Sequence, residues 1–181
     1  MKLLRLFPLV IFLLGSCAKN SDKVFKAGEI GGLHGGMTVE QVKNVLSSDS
    51  LNAPKKVTGI VEQQVTEVVD RKTGEKKWLL IFEPQGDTLK LYAVEILSPE
   101  YVSEKGAGLE TPYAEWKKKH KITRAERTLR HVVVFVDDLN AILEFNNDDL
   151  VETARHKTGN PDPDWIKPDA KPSRIVLFMK K

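Results

Sequence analysis

Oxygen-bearing side chains that could bind a metal ion are densest in the last third of the chain. Asp137 and Asp138 are adjacent, and residues 146–149 supply two asparagines and two more aspartates. Calcium takes roughly six to eight oxygen ligands from a regularly spaced loop, whereas adjacent Asp and Asn residues are typical of hairpin turns. We therefore predict turns and no metal site. A hydrolase or metal enzyme is the weaker alternative, and it requires Asp137, Asp138, Asp148 and His131 to converge in one pocket.

A second candidate for chemistry is His34, which lies in the glycine-rich run of residues 31–36. The chain has four scattered histidines, and none of them forms an HxxxH-like pair with His34. No Gly-x-Ser-x-Gly nucleophile motif is present, and the glycines lack the spacing and the preceding strand of a nucleotide-binding loop. We therefore predict no catalytic residue, no cofactor and a protein that is not an enzyme.

The one cysteine of the chain, Cys17, follows a segment that has the features of a signal peptide. Two basic residues precede an apolar run at residues 6–14, which is too short to span a bilayer. Residues 14–17, Leu-Gly-Ser-Cys, resemble the lipobox of bacterial lipoproteins. The resemblance implies that the signal peptide of residues 1–16 is removed and that Cys17 carries palmitate and other acyl chains. The alternative is a soluble secreted protein in which Cys17 is incidental.

The residues after Cys17 bear on where the protein is anchored. Alanine follows the cysteine, where aspartate would retain a lipoprotein in the inner membrane of enterobacteria. We therefore expect a lipid anchor in the outer membrane, facing the periplasm. Residues 17–27 are small and polar enough to serve as a tether between the lipid and the fold.

Composition and charge restrict the possible partners. The net charge is +3 over 181 residues, with both signs interspersed, and no long basic field indicates nucleic acid. The run Lys117 to Lys119 is typical of a solvated helix face. With no second cysteine for a disulfide, the hydrophobic core must hold the mature domain together. The expected partners are the membrane, through the lipid on Cys17, and an envelope protein.

The element on which the first half of the fold depends is a short helix that begins after the glycines. Thr38 is a favourable N-cap, and Gln41 completes a capping box three residues later. Met37 and Val42 can form a hydrophobic staple across the cap. Apolar residues at helical spacing then predict an amphipathic helix that ends near Leu46 and packs against a sheet.

Strands follow this helix and form the rest of a first unit, residues 28–100. The β-branched residues of segment 57–69 favour a strand, although a helix also fits their spacing. Turns separate it from strands predicted at residues 78–82 and 89–97. One helix followed by three strands is typical of an antiparallel meander with the helix on one face.

The pattern restarts in a second unit, residues 101–181. Glycines precede Thr111, which we predict as a cap, and Pro112, which suits the first helical position. Strands are predicted at residues 131–136, 141–145 and 175–179. The predicted fold class is therefore α+β, with short helices packed on an antiparallel sheet and a tandem duplication of a helix-then-strands unit.

A family resemblance rests on the residues that begin the first helix. The segment Gly36-Met37-Thr38-x-Glu40-Gln41-Val42-x-x-x-Leu46 resembles small outer-membrane lipoproteins of the SmpA/OmlA (BamE) type. It is also similar to the tandem fold of β-lactamase inhibitory protein. The resemblance implies helices packed on an antiparallel sheet, and as a packing signature it predicts the fold better than the function. It covers about a dozen residues, and the Gly-x-Pro expected after Leu46 is absent.

Aromatic residues are the remaining candidates for contact with a partner. Trp78 and Trp116 lie in apolar patterns and are predicted to be in the core, whereas Trp165 lies in a proline-rich loop. An aromatic residue in such a loop is either a lid over the sheet or an anchor for a partner. The leading hypothesis is a lipid-anchored protein that binds or scaffolds another envelope protein. An inhibitor or ligand-binding module is the alternative, favoured if Trp78, Tyr92 and Phe135 are exposed on one sheet face.

Overall fold

The fold is given by a computed structural model that describes residues 23–58 and 62–179. The predicted signal peptide, Cys17 and the first part of the tether lie outside the described residues. The elements of the first half are strands β1 Val24–Lys26, β2 Glu29–Ile30, β3 Leu33–His34, β4 Ser50–Leu51, β5 Lys55–Thr58, β6 Glu62–Val69, β7 Lys76–Gln85 and β8 Thr88–Ile96, and helix α1 Val39–Val45. Those of the second half are strands β9 Val102–Ser103, β10 Ile122–Arg127, β11 His131–Val136, β12 Ala141–Asn146 and β13 Arg174–Phe178, and helices α2 Tyr113–Lys119 and α3 Glu152–Arg155.

The large sheet is antiparallel and contains strands from both halves of the chain. Its order is β10-β11-β12-β13-β8-β7-β6-β4, and β5 also pairs with β6. The strand that joins the halves is β13, which pairs with β12 on one side and with β8 on the other. The predicted α+β class with short helices and an antiparallel sheet is confirmed. Both predicted units contribute strands to this large sheet.

Segment 57–69, for which both strand and helix were possible, contributes strands β5 and β6. Residues 59–61 of this segment lie outside the described residues. The two strands pair in antiparallel register, with Lys55 opposite Val65. The preference of β-branched residues for a pleated surface therefore predicts the correct structure here.

A second, four-stranded sheet corrects the predicted tether. Its order is β3-β2-β1-β9, and β1 runs parallel to β9 with Phe25 opposite Ser103. Phe25 is fully buried in the main core. The tether prediction is therefore wrong for residues 23–27, because the buried Phe25 side chain anchors this segment in the fold.

Helix α1 begins as predicted. The Gln41 amide donates to Thr38 Oγ1 over 3.2 Å, and the Thr38 amide donates to Gln41 Oε1 over 2.8 Å, which completes the capping box. Met37 and Val42 are both buried, as a hydrophobic staple requires.

The start of α2 differs from the prediction by one residue. Pro112 is the N-cap and has no side-chain cap bond. Thr111 Oγ1 instead accepts a hydrogen bond from the Gly108 amide over 2.9 Å, so this hydroxyl closes the loop before the helix. Tyr113 and Trp116 are buried on the inner side of α2, as their spacing predicts.

The main core lies between the large sheet, the helices and the small sheet. We call the covered side of the large sheet its inner face and the opposite side its outer face. The inner face buries alternate residues of β7, β8, β11, β12 and β13 against α1, α2 and the small sheet. Trp78 and Trp116 belong to this core, as predicted.

Candidate functional site

The outer face of the large sheet carries a second apolar cluster. Side chains alternate between the two faces along a strand, so residues between the core positions of β6, β7, β8, β12 and β13 lie on the outer face. We name this cluster the outer patch, and its residues are Val65, Ile81, Tyr92, Ala93, Ile142, Val176 and Phe178. Only strand residues belong to it, so within the described part of the chain no helix or loop contributes to this cluster.

Aromatic rings extend the outer patch toward one end of the sheet. Tyr92 and Phe178 meet edge to face, with ring centroids 5.6 Å apart. The guanidinium carbon of Arg124 lies 3.5 Å from the centroid of the Phe135 ring. A cavity of about 550 Å³ lies among these four side chains. Half-buried aromatic residues beside a guanidinium group are typical of surfaces that bind proteins.

The charged side chains that border the outer patch have counter-charges on the same face. Arg174 Nη2 lies 2.6 Å from Glu95 Oε2, and Arg174 Nη1 lies 3.5 Å from Glu144 Oε2. His131 Nδ1 lies 3.2 Å from Glu144 Oε1. At the far edge, Arg124 Nη1 lies 2.8 Å from Glu126 Oε1. These side chains give the outer patch a polar border.

A separate cavity of about 670 Å³ lies beside the glycine-rich run. Glu29, His34 and Gly36 form one wall, and Glu83 and Lys90 of the β7–β8 hairpin form the other. His34 is exposed, and its Nδ1 lies 3.3 Å from the carbonyl oxygen of Gly35. Glu29 is the acidic residue of this wall and pairs with Lys26 at 3.0 Å. The cavity holds mixed charge and no histidine–carboxylate pair among the described residues.

A network of hydrogen bonds connects the buried Ser103 and His120 with Asp138, whose side chain is 28% exposed. Ser103 Oγ lies 2.8 Å from His120 Nε2, and His120 Nδ1 lies 3.1 Å from Asp138 Oδ2. Sequence reasoning missed this arrangement, because its members lie on β9, after α2 and in the turn after β11. No motif connects them along the chain.

The order of these groups is that of a Ser-His-Asp triad, but their surroundings indicate a structural role. Ser103 is 1% exposed, and its Oγ also accepts the Ala107 amide over 3.1 Å. The cavities described above do not reach Ser103, so a substrate has no path to its hydroxyl group through them. We interpret these hydrogen bonds as a structural connection between β9, α2 and the turn after β11.

Burial and neighbouring groups shift the pKa of both titratable residues in this network. Burial lowers the pKa of His120, and the nearby Asp138 opposes this shift without cancelling it. Burial acts to raise the pKa of Asp138, but hydrogen bonds from Lys105 and the Lys121 amide outweigh it and lower the pKa. A neutral imidazole that donates to a carboxylate and accepts from a hydroxyl fits both shifts.

The acidic residues considered as metal ligands take separate structural roles. Asp137 accepts a hydrogen bond from Thr123, and Asp138 contacts His120. Asp149 accepts the Asn146 amide in a capping box at the turn after β12. The described residues contain no group of three His, Cys, Asp or Glu side chains that could hold a metal. Asp137, Asp138, Asp148 and His131, on which the hydrolase alternative depends, are not brought together.

Trp165 packs as a lid. It lies in the short helical turn Pro163–Trp165, is half-buried and contacts the main core. Lys157 Nζ lies 4.1 Å from the centroid of its ring. Trp165 also lines a groove beside β10, together with Arg124 and Glu126. Its suggested role as a partner anchor stays a prediction.

The aromatic residues named for the inhibitor alternative divide between the two faces. Trp78 is 2% exposed in the main core, as its apolar pattern predicts, so it does not meet the condition that would favour the inhibitor alternative. Tyr92 and Phe135 are half-buried on the outer face.

Comparison with family models, curated proteins and solved structures finds no match to this chain. Among the described residues, no helix has the length and apolar character that crossing a membrane requires. The geometry of the outer patch is therefore the main guide to function.

Proposed function

We propose that this chain is a lipid-anchored bacterial envelope protein, not an enzyme, that binds or scaffolds a protein partner through the outer patch. Cys17 carries the lipid, and the folded domain faces the periplasm from the outer membrane. The observation that carries the binding role is an apolar cluster on a sheet face to which no described helix or loop contributes. An apolar centre with a polar border is the usual composition of a protein–protein interface.

The lipid anchor is supported by the lipobox-like residues 14–17 and by the position of the one cysteine. We expect radiolabelled palmitate to be incorporated into the wild-type chain and to be lost in Cys17→Ala. Ser16→Ala keeps a small residue before the cysteine and serves as the control, which should retain the label. Label that persists in Cys17→Ala would overturn the anchor.

The binding role is tested by site-specific photo-crosslinking in native membranes. A photoreactive residue at position 142, on the outer patch, should capture a defined protein. The same residue at position 129 is the matched control, because Leu129 is fully exposed on the β10–β11 turn, outside the patch. Equal capture at both positions, or none at position 142, would contradict binding through this face.

The alternative is an inhibitor or ligand-binding module of the β-lactamase inhibitory protein type. The half-buried Tyr92 and Phe135 on the outer face favour it, and the buried Trp78 does not. If the protein captured at position 142 is an enzyme whose activity falls on addition of the purified chain, the inhibitor function is preferred. Unchanged activity of that enzyme supports scaffolding.

We further propose that the two halves of the chain arose by tandem duplication. Helices α1 and α2 each contain seven residues, each follows a glycine-containing loop, and each precedes antiparallel strands of the large sheet. The resemblance of residues 36–46 to the SmpA/OmlA (BamE) type concerns the first of these units. Significant similarity between the two halves in the sequences of relatives would support the duplication.

A further inference from the structure

A further cavity, of about 440 Å³, lies between the end of α1, the β6–β7 turn and the segment after β8. We name it the α1 cavity, and its lining includes Asp49, Asp70, Glu75, Lys77, Trp78 and Tyr101. Asp49, Trp78 and Tyr101 are 6%, 2% and 3% exposed, so polar groups are buried in its wall. A concave site on which a few polar groups converge is typical of small-molecule binding.

The indole N–H of Trp78 is buried and has no hydrogen-bond acceptor among the described residues. The indole N–H of the buried Trp116, by contrast, donates to the Gly108 carbonyl oxygen over 3.2 Å. Buried donors are rarely left without a partner, so the exception calls for an explanation. Because Trp78 lines the α1 cavity, a bound molecule with an acceptor oxygen can supply the missing partner.

The α1 cavity already holds one ammonium group, that of Lys77. Its Nζ lies 2.7 Å from Asp49 Oδ1 and 3.4 Å from Asp70 Oδ2. Burial acts to lower the pKa of Lys77, but the contacts with Asp49, Tyr101 and Asp70 outweigh it and raise the pKa. Hydrogen bonds from the amides of residues 73 and 72 lower the pKa of Asp70 to about 2, so this carboxylate is ionised at neutral pH. The surroundings therefore favour a positive charge.

Acidic groups remain for a second cation. Four carboxylates line the cavity, against two lysines. Lys23 Nζ lies 2.5 Å from Glu100 Oε2, whereas the exposed Glu75 carboxylate forms no ion pair within the described part of the chain. The nearby Arg71 donates to the carbonyl oxygen of Asp49 over 2.7 Å, so its charge offsets only part of this acidic excess.

We propose that the α1 cavity binds a small ammonium compound that also carries a neutral acceptor oxygen, the chemistry of an amino-acid amide or of a peptide N-terminus. The carboxylates of Asp70 and Glu75 attract its ammonium group, and its carbonyl oxygen accepts the Trp78 indole N–H. Trp78 and Tyr101, whose ring centroids lie 5.1 Å apart, add aromatic surface of the kind that attracts ammonium groups. The α1 cavity shares no residue with the outer patch, so this binding goes beyond the proposed function and does not depend on it.

The experiment is an NMR titration of the isotope-labelled full chain, purified in detergent, with L-leucinamide. The chain has three tryptophans, and through-space contacts with the Tyr101 ring assign the indole N–H signal of Trp78. We expect this signal to shift until saturation, while the signal of Trp116, whose N–H is already bonded, stays in place. Absence of a saturable shift of the Trp78 signal would overturn the proposal.

Two analogues of leucinamide examine the two groups of the ligand separately. N-acetyl-L-leucinamide keeps the carbonyl oxygen but has no ammonium group, and isoamylamine keeps the ammonium group but has no carbonyl oxygen. Each should bind roughly tenfold more weakly than leucinamide, because each loses one hydrogen-bonded group. Equal affinity for either analogue would overturn the recognition proposed for the missing group. Tighter binding of the amide of Leu-Gly-Gly than of leucinamide would identify a peptide N-terminus as the ligand, and weaker binding would identify a free amino-acid derivative.

Glu75→Gln removes a carboxylate at an exposed position and should weaken the binding of leucinamide about threefold. Glu40→Gln is the matched control, because Glu40 is exposed on α1 and does not line the cavity. Unfolding in urea shows whether both variants remain folded. Unchanged affinity in Glu75→Gln, or the same loss in both variants, would contradict a specific cation site in the α1 cavity.

Discussion

The hydrogen-bonded network of Ser103, His120 and Asp138 gives a quantitative prediction for Ser103→Ala. The substitution removes one oxygen atom and leaves nearly the same volume, so cavity formation contributes little. It removes the partners of two buried groups, His120 Nε2 at 2.8 Å and the Ala107 amide at 3.1 Å. Each buried polar group left without a partner costs about 1–3 kcal/mol. Allowing for partial relaxation, we expect the free energy of unfolding to fall by about 2–4 kcal/mol.

The measurement is equilibrium unfolding in urea of the wild-type chain and of Ser103→Ala. Ser173→Ala is the control, because the exposed Ser173 hydroxyl donates one hydrogen bond to the Glu144 carbonyl oxygen over 3.0 Å. An exposed change of this kind should alter the free energy of unfolding by about 0.5 kcal/mol or less. A loss in Ser103→Ala no larger than that of the control would refute the structural role of this network.

Reaction with a fluorophosphonate probe examines the same serine as a nucleophile. A buried hydroxyl group that already accepts the Ala107 amide should not react. Labelling of the wild-type chain that disappears in Ser103→Ala, with stability unchanged, would assign Ser103 to catalysis and would contradict the interpretation given above.

Three further predictions concern a cap, a glycine and pH. Thr38→Ala removes the side-chain acceptor of the α1 capping box and should lower the free energy of unfolding by about 1 kcal/mol. Equilibrium unfolding in urea measures this loss, and no loss would mean that the cap is dispensable. Gly31→Ala places a Cβ 2.4 Å from the buried Trp78 ring, whereas Gly36→Ala meets nothing within 4 Å, and both glycines have positive φ. Gly31→Ala should therefore lower the free energy of unfolding by about 1–3 kcal/mol more than Gly36→Ala does. Equal shifts in the melting temperature of the two variants would exclude a steric role for Trp78. Since burial lowers the pKa of His120 below 6.5, the unfolded chain binds a proton there that the folded chain does not. The free energy of unfolding should fall as the pH drops below 6.5, and this fall should be smaller in His120→Gln. The same pH dependence of the free energy of unfolding in both chains would contradict this prediction.

Local features of the fold follow from the sequence because they depend on residues close together in the chain. The Thr38–Gln41 capping box spans three residues, and both of its hydrogen bonds are present. The alternation of β7 and β8 places Trp78 in the core as predicted. Strands β1, β2, β3, β4 and β9 were not predicted, because two or three residues are too few to show a period of two.

Contacts between distant segments were decided only by the tertiary structure. Local periodicity predicts that a strand forms, but it does not specify which strand becomes its neighbour. Phe25 is buried because β1 pairs with β9, which lies far away in the chain. Ser103, His120 and Asp138 form a hydrogen-bonded chain only after the loops around α2 and β11 are placed. The outer patch likewise exists only because β13 joins β12 to β8 and aligns apolar side chains from both halves on one face.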